Sequence, residues 1–273
     1  MSALWIALLY FSAGSLSSGE GCAIPIRLAG GFSLVDAVYL NGAGPYRFLL
    51  DTGAQSSTIS REVVTRLGMQ PRYAVIRVTT GSEEVVPAYL AAEISLGPVR
   101  AQDVELLESA MQIVRRATGP VDGILGQNFL ERFPWLLDRE RETLIFDLDR
   151  SIAARLSGKR TKVSSADGRM LVPTRIGGRK RQLVLDSGAS HVILFNRASL
   201  TRVGAAAVDS NGGAQMALSG AISSLQVGEV ELEEVPAAMM PVARGNEDGL
   251  LPVNLFRSIY VDAPSGFVIL NPR

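Results

Sequence analysis

Cysteine, histidine and net charge are almost missing from this sequence. There is one cysteine, Cys22, and one histidine, His191. A single cysteine excludes an intrachain disulfide, and the two residues together are too few for a Cys/His metal cluster. No cofactor is implied. Lys plus Arg total 27 and Asp plus Glu total 27, so the formal net charge is zero. The basic excess that phosphate binding needs is absent, which argues against a nucleic-acid partner. Aromatics make up only 6% of the chain. The long apolar run, Met1 to Gly14, matches a signal-peptide h-region and is short for a membrane span. Small residues follow at Ser15, Ser17 and Ser18, although no Lys or Arg precedes Arg27. Residues 1–21 are therefore expected to be a leader, with export to a periplasmic or extracellular space and no stable span after its removal. A lipid anchor on Cys22 is disfavoured, because Gly19 stands where a large apolar residue belongs.

The 273 residues suffice for two ordinary lobes, and 47% hydrophobic with 20% charged residues is a globular composition. Self-comparison shows a tandem repeat. Phe48-Leu-Leu-Asp51-Thr-Gly-Ala54 returns as Leu183-Val-Leu-Asp186-Ser-Gly-Ala189, at an offset of 135. Thr65-Arg-Leu-Gly68 returns as Thr201-Arg-Val-Gly204, and Leu96-Gly97 returns as Val227-Gly228. Asp122-Gly-Ile-Leu-Gly-Gln-Asn-Phe129 returns as Asp248-Gly-Leu-Leu-Pro-Val-Asn-Leu255. The order is kept throughout. The first copy is expected over residues 24–149 and the second over 163–273, with a polar linker at 150–162 and a helical turn near 152–156.

Short strands and tight turns dominate the pattern. Hairpins are expected around Asn41-Gly42, Gly97-Pro98, Gly177-Gly178 and Gly228-Glu229. Short helices are expected at Arg61–Leu67 and Arg197–Val203, each running into a glycine. Helical turns are expected near Asn128 and Asn254, with those asparagines as N-caps. Closing strands are expected at Leu144–Leu148 and Phe267–Leu270. Asp122 and Asp248 each precede a glycine turn and read as structural. His191 reads as a polar loop residue, Trp135 as core or interface, and Arg139–Glu142 as a solvated turn.

Asp51 and Asp186 carry the functional reading. Each ends an apolar strand and enters a glycine turn. An ionised aspartate is costly to bury without partners, so such a residue is poorly explained as core. Homologous halves tend to pack about a pseudo-twofold axis, which would bring the two carboxylates together. At about 3 Å both cannot ionise, and the pair holds one shared proton. Such a pair does acid and base work on one water with no metal and no covalent intermediate.

Asp51-Thr-Gly-Ala54 and Asp186-Ser-Gly-Ala189 resemble the active-site motifs of the retropepsin/pepsin-like aspartic peptidases. Ile124-Leu125-Gly126 resembles that family's downstream supporting element, and the likeness spans nearly everything after Ile24. The fused duplication resembles bacterial exported members with two retropepsin-like repeats. The resemblance implies an all-β, bilobal acid-protease fold, two barrel-like lobes related by a pseudo-twofold with a cleft between them. It implies an aspartic endopeptidase acting on an extended peptide or protein, catalysis by Asp51 and Asp186, and a monomer. By the same likeness Thr52 and Ser187 bond across to the opposite loop. Gly53, Ala54, Gly188 and Ala189 shape the two loops, which Ile124, Leu125, Gly126, Leu250 and Leu251 support. Thr80-Gly81 and Gly212-Gly213 fall at the flap tips. One departure is Leu250-Leu251-Pro252, where proline replaces the family's glycine. Ala54 and Ala189 lack the hydroxyl that lowers the pair's pKa in pepsins, so a mildly acidic to near-neutral optimum is expected. The alternative is a two-lobed peptide-binding module that holds an extended strand without cutting it.

Overall fold

The computed structural model describes residues 22–78, 83–166, 168–195, 200–210, 213–240 and 247–271. In the first copy β1 (Ala23–Ala29), β2 (Phe32–Leu40), β3 (Ala43–Leu50) and β4 (Ser57–Ser60) lead into helix α1 (Arg61–Leu67). Strands β5 (Tyr73–Val78), β6 (Glu83–Leu96) and β7 (Val99–Ser109) follow, then α2 (Gln112–Thr118), β8 (Gly123–Leu125) and α3 (Gln127–Leu130). The hairpin β9 (Trp135–Asp138) and β10 (Thr143–Phe146) ends the copy. The segment expected as a linker carries α4 (Ser151–Arg155) and β11 (Thr161–Lys162). The second copy has β12 (Ser164–Ala166), β13 (Arg169–Ile176), β14 (Arg179–Asp186), β15 (Val192–Phe195) and β16 (Thr201–Ser210). It continues with β17 (Gly213–Val227), β18 (Val230–Met240), β19 (Gly249–Pro252), a 3-10 turn (Val253–Leu255), β20 (Ser258–Asp262) and β21 (Phe267–Leu270).

Pairing order makes the duplication explicit. The first copy runs β2-β3-β8-β4-β7-β6, and a β2–β6 pairing closes it into a six-stranded barrel. The second runs β13-β14-β19-β15-β18-β17 and closes through β13–β17. In each barrel the strand that ends at the aspartate pairs in parallel with a downstream strand, Leu50 with Leu125 and Leu185 with Leu251. Turn chemistry explains the hairpins. Asn41 (φ 52°) with Gly42 (φ 79°), and Gly177 (φ 53°) with Gly178 (φ 78°), take the left-handed conformations of a two-residue turn. The barrel interiors are filled by fully buried Phe48, Leu106 and Leu125 in one copy and Leu185, Leu225 and Leu251 in the other.

The lobes are joined by strand pairing. Strands β11-β21-β20-β9-β10-β1 form a continuous ribbon in which β9 of the first copy pairs with β20 of the second. Tyr260, fully buried, donates to Asp147 Oδ2 at 3.0 Å. Asp147 also accepts from the backbone of Ile152 and Ala153 and so anchors α4. Trp135 is buried in this ribbon. Arg139–Glu142 form the turn between β9 and β10.

The expected helix at Arg197–Val203 is contradicted at 201–203, which belong to strand β16. Residues 196–199 lie outside the described set, and Thr201 opens strand β16 along β17. In the first copy α1 has its cap, because Ser60 Oγ accepts from Val63 N and Gly68 (φ 62°) ends the helix. The matching cap position in the second copy is Phe195, and pairing with β17 outweighs a weak helix pattern. The expected N-caps also fail. Gly126 and Pro252 stand at the starts of the two turns, and the asparagine side chains are engaged elsewhere. The expected leader, residues 1–21, lies outside the described residues, as do Thr80, Gly81 and Gly212. Gly213 opens β17.

Candidate active site

Asp51 and Asp186 leave β3 and β14, one from each barrel, and each carboxyl lies against the loop glycine of the other copy, Asp186 against Gly53 and Asp51 against Gly188. Thr52 and Ser187 cross-link the loops symmetrically. Thr52 Oγ1 donates to Leu185 O at 2.7 Å and accepts from Ser187 N at 3.0 Å. Ser187 Oγ donates to Leu50 O at 2.7 Å and accepts from Thr52 N at 3.0 Å. Both side chains are buried, so these four bonds are shielded from competition by water.

Glycine is required beside each aspartate. A methyl group on Gly53 would collide with the Asp186 carboxyl, and one on Gly188 would stand 2.6 Å from Asp51 Cγ. The freed backbone donates instead. Gly53 N and Ala54 N reach Asp51 Oδ1 at 2.9 and 3.2 Å, and Gly188 N reaches Asp186 Oδ1 at 2.8 Å. Burial raises the pKa of Asp51, and the loop N–H groups oppose that rise. Asp186 is pushed well above the ordinary carboxylate range by burial and then by the charge of Asp51. A pair in this state holds a proton where isolated aspartates would have lost theirs.

The supports behind the loops differ. Asp51 N donates to Leu125 O at 2.9 Å, and Gly126 N donates to the buried Ser57 Oγ at 3.0 Å. Ser57 N and Oγ both donate to Asn128 Oδ1, at 2.9 and 2.7 Å. A Cβ on Gly126 would lie 2.8 Å from Ser56 O, so the first copy admits only glycine there. In the second copy Pro252 takes the Gly126 position and buried Val192 takes the Ser57 position. The donor and its acceptor are lost together, which leaves no orphaned polar atom. Asn254 Nδ2 donates to Ser190 O at 2.8 Å. Ile124 sits on β8, and Leu250 and Leu251 sit on β19.

The remaining expected residues sort cleanly. Asp122 and Asp248 serve the backbone: Asp122 Oδ2 accepts from Arg47 N at 2.9 Å, and Asp248 Oδ2 accepts from Gln182 N at 2.8 Å. His191 is exposed and bonds only its neighbour's Ser190 Oγ, at 2.9 Å. Gln127 and Glu105 escaped the sequence reading. Gln127 Nε2 donates to Thr52 O at 2.9 Å. Glu105 accepts from Ser56 Oγ at 3.2 Å and from Tyr73 OH at 2.5 Å, which ties the first loop to β5. The missed signal was the paired change between copies, Ser57 with Gly126 against Val192 with Pro252. Among the described residues no group of three or more His, Cys, Asp or Glu side chains is arranged to hold a metal ion.

The profile of a family described as aspartyl protease matches residues 37–129 and again 172–255. The chain belongs to the aspartyl protease family. The two matched segments cover both barrels and both aspartate loops, so the family's repeat unit occurs twice in one polypeptide. A solved structure titled as a retropepsin-like aspartic protease from Rickettsia conorii is similar at 18% identity. That match covers 45% of this chain and 88% of the other, with a TM-score of 0.35. A search of the curated proteins finds no significant match.

Proposed function

We propose that this protein is an aspartic endopeptidase in which Asp51 and Asp186 activate one water against a peptide carbonyl. The observation that carries the reading is the pair of aspartates, one from each barrel, whose loops are cross-linked by Thr52 and Ser187 so that each carboxyl lies against the other copy's glycine. One carboxylate takes a proton from the water as its oxygen attacks the carbonyl carbon. The other carboxyl gives its proton to the carbonyl oxygen, and a neutral tetrahedral diol forms. Collapse moves a proton to the leaving nitrogen, breaks the C–N bond and restores the single shared proton. The Thr52 and Ser187 cross-links hold the two loops so that this exchange needs little rearrangement.

The substrate is an extended peptide or protein. The apolar run at 1–14 supports export by way of a leader. Absence of a hydroxyl at Ala54 and Ala189 supports an optimum from mildly acidic to near-neutral pH. The test is cleavage of a peptide library at several pH values, with and without a hydroxyl-bearing transition-state mimic. Cleavage that the mimic blocks, and that Asp51→Asn abolishes while peptide binding persists, is the expected result. Peptide binding without cleavage at any pH would overturn the enzymatic reading in favour of a binding module.

A further inference from the structure

The two copies differ again at the residue that follows the supporting Gly or Pro. In the first copy this is Gln127, 1% exposed, and in the second it is Val253, also 1% exposed. Gln127 Nε2 donates to the Thr52 carbonyl at 2.9 Å. That carbonyl and the Gly53 N–H belong to one peptide group, and the Gly53 N–H donates to Asp51 Oδ1 at 2.9 Å. A hydrogen bond accepted at the carbonyl end of a peptide polarises it and strengthens the bond donated at its N–H end. The matching peptide of the second copy, Ser187–Gly188, donates to Asp186 Oδ1, but Val253 has no donor to offer its carbonyl.

The arrangement is costly. Gln127 Oε1 is buried with no hydrogen-bond partner among the described residues. An orphaned buried acceptor costs about 1–3 kcal/mol. The second copy shows that a branched aliphatic fits the same position without that cost. A residue kept for packing alone would follow Val253.

We propose that Gln127 divides the labour of the dyad: by polarising the Thr52–Gly53 peptide it makes Asp51 the carboxylate that takes the water's proton and leaves Asp186 holding the shared one. Gln127 is a positioning residue in this scheme, since it acts only through the peptide. The proposal rests on the peptidase reading for its catalytic meaning, while the unequal ionisation stands independently. Two other titratable side chains stand near the loops: Glu105, bonded to Ser56 on the Asp51 side, and His191, bonded to Ser190 on the Asp186 side. His191 is exposed and solvent-screened, and Glu105 is shared between Ser56 and Tyr73.

The test compares kcat/KM against pH for the full chain and for Gln127→Met, with a peptide substrate taken from library profiling. Each is repeated in a His191→Gln background, so that the neighbouring ring plays no part in the comparison. The expected result is an acidic limb moved up by about half a pH unit or more, with KM little changed. A limb that stays in place, whatever happens to kcat, would overturn the proposal, because loop support alone lowers the rate without moving the limb. Carboxyl-carbon NMR titration of the unmutated protein tests it without any variant and without activity. The first of the pair's two ionisations is expected mainly at Asp51, and assignment to Asp186 or equal sharing overturns it. Failure to cleave peptides would sink the peptidase reading and leave this titration to decide the asymmetry.

Discussion

Behind Asp51 stand Ser57, Gly126 and Asn128, joined by hydrogen bonds; behind Asp186 the matching positions are Val192, Pro252 and Asn254. The front of the site is nearly symmetric, and the back is not. The front is constrained because each loop touches the other copy, so a change on one side is felt on both. The hydrogen bonds at the back stay within one copy. There a polar pair and an apolar pair are equally sound, provided both members change together.

The largest effect should come from the shared front. Gly53→Ala and Gly188→Ala each drive a methyl group into the opposite carboxyl, and both should lower kcat/KM by more than about 100-fold. Peptide cleavage assays check this. A large loss in one variant and none in the other would break the symmetry of the front. The back should respond unequally. Gly126→Ala overpacks against Ser56 and should cost about 1–3 kcal/mol, whereas Pro252→Ala should cost less than about 1.5 kcal/mol. Urea denaturation compares them, and equal losses would erase the distinction. Ser57→Val strands the Gly126 N–H and should cost about 1–3 kcal/mol in the same assay.

The pH dependence of stability sharpens the comparison further. Folding raises the pKa of both aspartates, so the folded state binds more protons than the unfolded one. Their stabilising contribution is full below the ordinary carboxylate range and is lost as pH rises through the folded values. Asp186→Asn and Asp51→Asn should each flatten the decline in melting temperature over the window that begins at about pH 4. A melting temperature that rises with pH over that window would contradict the sign. The smallest effect belongs to the surface. Arg115 holds the Glu62 carboxyl down at about 2, but Glu62 is 61% exposed. Glu62→Ala should therefore cost no more than about 1 kcal/mol by thermal melting.

Much of this architecture was legible because its determinants are local. Asn41-Gly42 and Gly177-Gly178 name their turns through left-handed backbone, and an apolar strand ending in Asp-Thr-Gly repeats almost unchanged. The false helix at Arg197–Val203 has the opposite cause. Thr201-Arg-Val-Gly204 copies the letters of Thr65-Arg-Leu-Gly68, but its conformation is set by pairing with β17, a partner the segment itself does not encode. The ribbon through β9 and β20 was unreadable for the same reason. The departure at Pro252 was visible. Its complement at Val192 was not, because nothing local links residues 60 positions apart until a fold brings them together.

The β9–β20 pairing bears on how such a molecule stays whole. Exposed strand edges adhere to whatever backbone they meet. Either half by itself would present a raw hydrogen-bonding edge, and its aspartate loop would lack the opposite carbonyl that its hydroxyl seeks. The two barrels thus behave as obligate partners tethered by α4 and β11, and tethering keeps each edge reserved for its sibling instead of for a stranger.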